Sequence, residues 1–202
     1  MALSKKTVGA HTGTAGVTAA IVAAIFSVEG GYVNDPKDPG GETNHGITAQ
    51  TARSFGYTGS MKDLPIETAT NIYVTNYINK PGYGEIITLS PAVGQKLVDA
   101  GVNAGTSRSS TWFQQGLNSL NRGGVDYAKI TVDGKVGPGS VAAYQGLVKK
   151  RGKVKACEMI LKLLDAQQTT HYTSLTNLSQ YTPGWVDARI GNVPLPSTVI
   201  FA

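Results

Sequence analysis

The stretch FSVEGGYVNDPKDPGGETNHGIT, Phe26–Thr48, decides how this chain folds, because an apolar run meets a single glutamate there and stops. Gly30 and Gly31 follow Glu29 directly, and glycine at this position ends helices. The next residues are mostly Asp, Pro, Gly and Asn, which form tight turns. The sequence therefore predicts a helix that ends near Glu29, followed by a polar loop that returns toward it.

The position of Glu29 bears on its chemistry. The residue lies near the negative end of the helix dipole, and its helical neighbours Ile25 and Phe26 are apolar. Both effects disfavour the ionised carboxylate and raise the pKa of Glu29. A carboxylic acid that stays protonated near neutral pH is suited to general acid catalysis of glycosidic bond cleavage. The alternative is a solvated surface glutamate at a helix end.

The whole segment EGGYVNDPKDPGGETNHGIT, residues 29–48, closely resembles the signature of glycoside hydrolase family 108, the N-acetylmuramidases of phages and bacteria. Glu29 stands where that family has its catalytic glutamate. The resemblance implies a lysozyme-like fold, mainly α with little β, in which two lobes flank a substrate cleft. It also implies the glycan strands of peptidoglycan as the substrate, without a cofactor.

Further site residues follow from the same loop. The Glu-x8-Asp spacing resembles phage-type lysozymes and makes Asp38 the candidate second carboxylate, with a purely turn-forming role as the alternative. Thr43 comes one residue earlier than the threonine of that pattern and is the candidate water-positioning hydroxyl, or else a loop hydrogen bond. Tyr32, Asn44 and His45 are the candidate substrate-binding residues. Tyr32 and Asn44 would line the sugar groove, with bracing of the loop as the alternative. His45 would act next to the site, in a structural role.

Composition limits the other possibilities. The 202 residues carry a net charge of +5, which favours a polyanionic partner such as an anionic cell wall. No nucleic-acid-binding motif accompanies the charge, and the basic group at residues 149–155 is interpreted as a solvated helix face. Cys157 is the single cysteine, lies in an apolar helical pattern and excludes an internal disulfide. No CxxC or HExxH spacing is present, so no metal site is predicted.

The N-terminal region has its own pattern. After Lys5 and Lys6, the segment Thr7 to Phe26 has no charged side chain over twenty residues, enough for a helix to cross a bilayer. Because this segment directly precedes the muramidase-like region, it resembles a signal-arrest-release segment of phage endolysins. The protein would then enter the host inner membrane through the export machinery, with an inactive catalytic region in the periplasm, and later be released. The alternatives are a cleaved signal peptide, or a first helix of the soluble fold at residues 17–27.

The rest of the chain is predicted to form helices. A short helix is capped by Thr48 and ended by Gly56, and the next helix is opened by Pro65 and has Ile66, Ala69, Ile72, Tyr73 and Tyr77 on one face. Two further helices are predicted from Pro91 to Ala104 and after a cap at Ser107. An extended segment with a turn at Asp133-Gly134 leads to a helix from Pro138, a long helix from about Lys153 to Gln168, and one final turn at residues 182–190.

The C-terminal half shows a second resemblance, to the predicted peptidoglycan-binding domain that usually follows this hydrolase. The residues that carry it are Asp99, Asn103, Trp112, Gln115, Asp133, Gly134, Gly137 and Pro138. Their alternative roles are turn formation and core packing. The expected organisation is a signal-arrest-release segment at residues 1–26, a catalytic region at 27–90 and a helical binding lobe at 91–202.

Together these features predict a monomeric phage endolysin that hydrolyses the β-1,4 bond between N-acetylmuramic acid and N-acetylglucosamine. One alternative is a lytic transglycosylase, which needs only the acid and leaves anhydro-muramic ends. The other is a non-catalytic cell-wall-binding protein, in which Glu29 is structural.

Overall fold

The computed structural model describes residues 14–34 and 41–196, which are mainly helical, and it confirms the predicted fold class. The helices are α1 Thr14–Glu29, α2 Ala49–Ser54, α3 Ile66–Tyr73, α4 Gly84–Leu89, α5 Pro91–Ala104, α6 Thr106–Leu120, α7 Pro138–Arg151, α8 Lys153–Ser174 and α9 Thr182–Arg189. Strands β1 Thr43–Asn44 and β2 Ile47–Thr48 form an antiparallel pair. Short 3-10 helices cover Met61–Asp63 and Thr176–Tyr181, and a π-helix covers Val74–Asn79.

Helix α1 is a core element of this fold. Ile21, Val22 and Ile25 are each at most 3% exposed, and the helix packs against α3, α4 and α5. Its exposed positions hold Ala, Gly and Ser, so the helix has one buried face although it carries no charged residue before Glu29. Within the described ranges, no helix is both long enough and apolar enough to span a membrane. The first residues of the predicted Thr7–Phe26 span lie outside those ranges.

Helix α5 lies at the centre of the packing. It contacts α1 and α4 on one side and α6 and α8 on the other, and the buried hydrophobic cluster runs from Ile21 to Val193. Such continuous burial stabilises the short helices between residues 49 and 89, which have little apolar surface of their own. The division of the chain at residues 26 and 90, and a cleft between two lobes, remain predictions.

Several helix details differ from the sequence-based expectation. Ser107 is not the cap of α6, because the helix already starts at Thr106 after Gly105, whose φ of 92° requires glycine. Ile66 is 55% exposed, since it occupies the first turn of α3 before the helix reaches the core. Helix α8 continues past Gln168 to Ser174, because Tyr172 extends its buried face. The final turn is a two-turn helix, α9.

Candidate functional site

The chain returns toward the end of α1 by a short backbone pairing. Val33 and Thr43 form an isolated antiparallel bridge, with both N–H···O distances at 2.9 Å. This pairing closes the loop of residues 34–42 four residues after Glu29, as the turn-rich sequence predicted. The bridge places Thr43 opposite Val33, and Val33 is only four residues after Glu29, the last residue of α1.

A tight hairpin continues from this bridge. Thr43 pairs with Thr48 and Asn44 with Ile47, and the two-residue connection is His45-Gly46. The φ angles are 52° at His45 and 71° at Gly46. Positive φ at both central residues is the geometry of the type I′ turn, whose twist matches that of the flanking strands. His45 therefore occupies a backbone conformation that few side chains other than Asn, Asp and Gly adopt readily.

The predicted substrate-binding residues Asn44 and His45 hold this hairpin in place. The Asn44 side-chain amide donates to the carbonyls of Met61 at 2.8 Å and Lys62 at 3.2 Å, and Asn44 is only 5% exposed. The His45 ring lies 5.3 Å from the Phe26 ring, and its carbonyl accepts a 2.9 Å hydrogen bond from the Tyr73 hydroxyl. The Asn44 amide thus ties β1 to the 3-10 helix Met61–Asp63, and its role toward a substrate stays a prediction.

Glu29 is the last residue of α1, and Gly30 after it has a φ of 79°, which confirms the predicted helix end. One turn earlier, Phe26 packs edge-on against Tyr73 at 5.1 Å, and Tyr73 lies 5.1 Å from Tyr77. Tyr77 belongs to the π-helix Val74–Asn79, a distortion that is frequent at functional sites. This row of rings fixes the position of the α1 end relative to α3.

Asp38, the candidate second carboxylate, lies outside the described residues. The structure instead draws attention to a carboxylate to which the sequence gave no role. Glu42 is half-buried, and its Oε1 accepts hydrogen bonds from the Tyr32 hydroxyl at 2.9 Å and, more weakly, from the Asn34 amide at 3.5 Å. The Glu42 hydrogen bond raises the pKa of the exposed Tyr32 phenol. No sequence spacing signals this contact, because it depends on the Val33–Thr43 bridge, which sets residues 34 and 42 opposite each other.

In the C-terminal half, the segment around Asp133 and Gly134 is held by Gln114 and not by Gln115, the glutamine that the sequence pattern had included. The Gln114 amide nitrogen donates to Asp133 Oδ1 and to the Lys135 carbonyl, each at 2.8 Å, and its oxygen accepts from the backbone N–H of Gly134 at 2.9 Å. Gln114 is 2% exposed, whereas Gln115 is on the exposed side of α6. The motif thus fixes the predicted Asp133-Gly134 turn on α6, where Gly134 has a φ of 74°.

Comparisons with known proteins bear on this geometry. The family model described as Glycosyl hydrolase 108 matches residues 22–105, from the buried part of α1 to the end of α5. This chain is a glycoside hydrolase. The matched region contains Glu29, the bridge, the hairpin and the ring row, so the site described above lies inside the hydrolase region. The match supports a cell-wall hydrolase with peptidoglycan as the substrate.

A solved structure resembles the hydrolase over nearly its whole length. "Structure of Brucella abortus SagA" has 29% sequence identity and a TM-score of 0.67, and the alignment covers 93% of this chain and 96% of that chain. The similarity therefore extends beyond residue 105 into α6–α9. Comparison with curated proteins gives no significant match. In the described part of the hydrolase, no group of three or more His, Cys, Asp or Glu side chains is arranged to hold a metal ion.

Proposed function

We propose that this hydrolase is an N-acetylmuramidase of the endolysin type, which cleaves the β-1,4 bond between N-acetylmuramic acid and N-acetylglucosamine. The observation that carries the proposal is the position of Glu29. It is the last residue of α1, in the region that matches the glycosyl hydrolase 108 model, and the returning chain pairs through Thr43 with Val33, four residues after Glu29.

Glu29 is the general acid in this proposal. Its protonated carboxyl donates a proton to the glycosidic oxygen as the bond from that oxygen to the muramic acid C1 breaks. Asp38 and Thr43 act at C1, where they orient the attacking water or stabilise the developing positive charge. The helix C-terminus next to Glu29 supports its role, because the dipole there favours the neutral carboxyl over the carboxylate.

The hairpin and the aromatic row have a positioning role. Asn44 and His45 anchor the hairpin to residues 61–62 and to α1, and Thr43 is the first residue of that hairpin. A water-positioning hydroxyl requires a rigid support, since small displacements of a catalytic group cost much of the rate. The exposed Tyr32 and its half-buried hydrogen-bond partner Glu42 lie in the same loop and contact the sugar chain in this proposal.

The deciding experiment is Glu29→Gln assayed on purified peptidoglycan. The substitution keeps size and polarity but removes the transferable proton, and the rate should fall by roughly 10²–10⁴ or more. The matched control is Glu67→Gln, an exposed glutamate in the first turn of α3, which should retain full activity. Substantial activity of a folded Glu29→Gln protein would exclude Glu29 as the acid.

The chemical nature of the new glycan ends shows which glycosidic bond is cleaved and by which reaction. Hydrolysis by a muramidase yields reducing N-acetylmuramic acid ends, which borohydride converts to the muramitol form. Anhydro-muramic ends would show a lytic transglycosylase instead, and reducing N-acetylglucosamine ends would show cleavage of the other glycosidic bond. Binding of peptidoglycan without any new ends would indicate a non-catalytic wall protein.

We also propose control by the N-terminal segment. Residues Thr7–Phe26 first lie in the host inner membrane, delivered by the export machinery, and α1 packs into the enzyme only after release. The packing of α1 supports this order, because Ile21, Val22 and Ile25 cannot lie both in lipid and in the enzyme core. Glu29 is three residues from Phe26, so embedding the segment separates the acid from the hairpin.

Stronger insertion tests the control proposal. Replacing Gly13 and Gly16 by leucine should favour the membrane state by several tenths of a kcal/mol per residue and delay release and lysis. Gly16 is exposed on α1, so leucine there does not disturb the core. Fractionation of wild-type and variant proteins between membrane and periplasm gives the readout. A wild-type protein that never fractionates with membranes would contradict the proposal.

We propose, finally, that residues 91–202 contribute to holding the cell wall. A cavity of about 270 Å³ between α6 and α8 is lined by an aromatic ring, a cation and amide and hydroxyl groups, namely Arg108, Trp112, Gln167, Thr170, His171 and Ser174. Aromatic rings with planar polar groups suit saccharide and peptide ligands. In the inactive Glu29→Gln protein, Arg108→Glu should weaken sedimentation with peptidoglycan, while the surface variant Arg53→Glu should not.

A further inference from the structure

An apolar cavity lies between the α4–α5 junction and the C-terminal helices, and it shares no residue with the candidate active site. It has a volume of about 450 Å³, within the range of sites that bind small molecules or single acyl chains. Its walls come from the α4–α5 junction, α7, α8 and the segment after α9, and they include Leu89, Ala92, Tyr144, Val148, Cys157 and Pro194. None of these residues has a role in the proposed reaction.

The mouth of this cavity is basic. Lys153 lines it and also lines a neighbouring cavity of about 260 Å³, which shares Leu89 and Val148 and adds Lys149. Lys149 and Lys153 are both exposed, and neither forms an ion pair with any side chain in the described part of the molecule. Lys150, Arg151 and Lys155 lie beside them on the same turns of chain.

The acidic residues near this surface are already engaged. Asp126 is bound by Arg122 at 2.8 Å, by Arg151 at 3.0 Å and by Lys150 at 3.5 Å. Glu158 is buried and pairs with Lys155 at 3.4 Å. Lys149 and Lys153 therefore retain their charge for an external anion. Two exposed apolar side chains, Leu89 at 36% and Val154 at 46% exposure, line the same cavity as Lys153.

We propose that this face docks onto the surface of a bilayer that contains anionic phospholipids. Lys149 and Lys153 contact the phosphate groups, and Leu89 and Val154 enter the boundary between headgroups and acyl chains. The cavity behind them accepts one acyl chain. A bilayer fits better than one free fatty acid, because two separate lysines and two exposed apolar side chains lie at this surface, and a bilayer presents many anionic groups above an apolar layer.

This surface is distinct from the predicted Thr7–Phe26 span. The span inserts through apolar residues and does not require anionic lipid, whereas the basic face requires it and loses affinity as salt rises. The face therefore gives a released enzyme a reversible way to stay at the membrane surface. The inference does not depend on which glycosidic bond the hydrolase cleaves.

Cys157 provides a direct reporter for the cavity. It is the only cysteine in the chain, it lines the cavity and it is 5% exposed. Burial raises the pKa of its thiol, so its reaction with a thiol reagent is slow and sensitive to any group that blocks the cavity mouth. Labelling of Cys157 thus measures occupancy, and vesicle sedimentation measures membrane binding.

The experiment uses the full chain and vesicles of two compositions, phosphatidylcholine alone and phosphatidylcholine with phosphatidylglycerol. We expect sedimentation with the anionic vesicles that decreases at high salt, together with slowing of Cys157 labelling by about fivefold or more. Lys149→Glu with Lys153→Glu should weaken the binding by about tenfold and abolish the slowing of Cys157 labelling. The control pair Lys129→Glu and Lys162→Glu changes the net charge equally at exposed sites outside this surface and should leave both unchanged.

Four outcomes would overturn the proposal. Equal binding to both vesicle types would show that anionic headgroups are not recognised. Binding without slower Cys157 labelling, or binding that survives the Lys149 and Lys153 reversals, would place the contact elsewhere, for instance in Thr7–Phe26. Faster Cys157 labelling after Phe201→Asp, with no effect of vesicles on the wild type, would assign the cavity to the chain's own residues 197–202.

Discussion

The guanidinium Nη1 of Arg189 lies 2.9 Å from Oδ1 of Asp99, and both side chains are almost fully buried, at 7% and 4% exposure. The two residues are ninety positions apart, and their contact ties α9 to the central helix α5. The buried Lys96 ammonium donates to the Arg189 carbonyl at 2.6 Å and forms an ion pair with Asp165 of α8. This cluster of charged residues, most of them buried, therefore links α5, α8 and α9.

Removing Arg189 should be strongly destabilising. Arg189→Met leaves the Asp99 carboxylate buried without its cation, which costs about 3–5 kcal/mol of the free energy of unfolding. Urea denaturation followed by circular dichroism measures the loss. The matched control is Lys129→Met at an exposed position between α6 and α7, for which we expect a change within about 0.5 kcal/mol. Equal stabilities of the two variants would show that the pair contributes nothing.

Gln114 and Gln115 form a second matched pair, because they are adjacent on α6 but Gln114 is buried and Gln115 is exposed. Gln114→Leu removes the acceptor for the Gly134 N–H and the donor to Asp133, and we expect a loss of about 2 kcal/mol or more. Gln115→Leu should change stability by less than about 0.5 kcal/mol. The Gln114 hydrogen bond is also the main cause that lowers the pKa of Asp133. An NMR titration should therefore show this pKa rising in Gln114→Leu alone.

Thr43 and Thr48 are directly paired across the hairpin, and we expect substitution of Thr43 to affect mainly activity and substitution of Thr48 mainly stability. Thr48 caps α2 by accepting a 3.2 Å hydrogen bond from the Thr51 N–H, so Thr48→Ala should cost about 1 kcal/mol with little effect on the rate. Thr43→Val keeps the shape of the side chain and removes the proposed water-positioning hydroxyl. Its kcat on peptidoglycan should fall by about 10²-fold with stability nearly unchanged. A wild-type rate in Thr43→Val would leave only a loop role for this hydroxyl.

Alkaline pH should destabilise the protein through its buried phenols. Burial raises the pKa of Tyr127, Tyr144 and Tyr172 to about 12, from an ordinary value of 10.0. Between these two values the unfolded chain loses protons that the folded protein retains. The stabilising contribution is therefore complete below about pH 10 and is lost as the pH rises toward 12. Urea denaturation at about pH 8 and about pH 11 measures the fall, which Tyr172→Phe should make smaller.

Chelation should leave the reaction unaffected. The proposed mechanism moves one proton from a carboxylic acid and uses one water, and it assigns no step to a metal ion. Activity on purified peptidoglycan in excess EDTA should therefore equal that of the untreated enzyme. Purified substrate is needed because EDTA also permeabilises outer membranes. A loss of activity that zinc restores would refute the acid-catalysed mechanism in this form.

Local chemistry made several elements predictable. The helix end at Glu29, the Thr48 cap and the start of α5 at Pro91 depend on residues within a few positions of each other, so the sequence was sufficient to locate them. The resemblance of residues 29–48 to a hydrolase signature likewise depends on a continuous segment, and the family match over residues 22–105 agrees with it. Local hydrogen bonding and backbone φ preferences act over such short distances.

The tertiary structure decided which residues meet. The Arg189–Asp99 pair, the choice of Gln114 over Gln115 and the engagement of Glu42 by Tyr32 each join separate elements or opposite ends of a loop. A single sequence records neither the rotation of a helix about its axis nor the register of a bridge such as Val33–Thr43. Helix rotation and bridge register are set by how the helices and the loop pack around α5. Apolar surface is buried cooperatively over the whole core, so no single segment determines them.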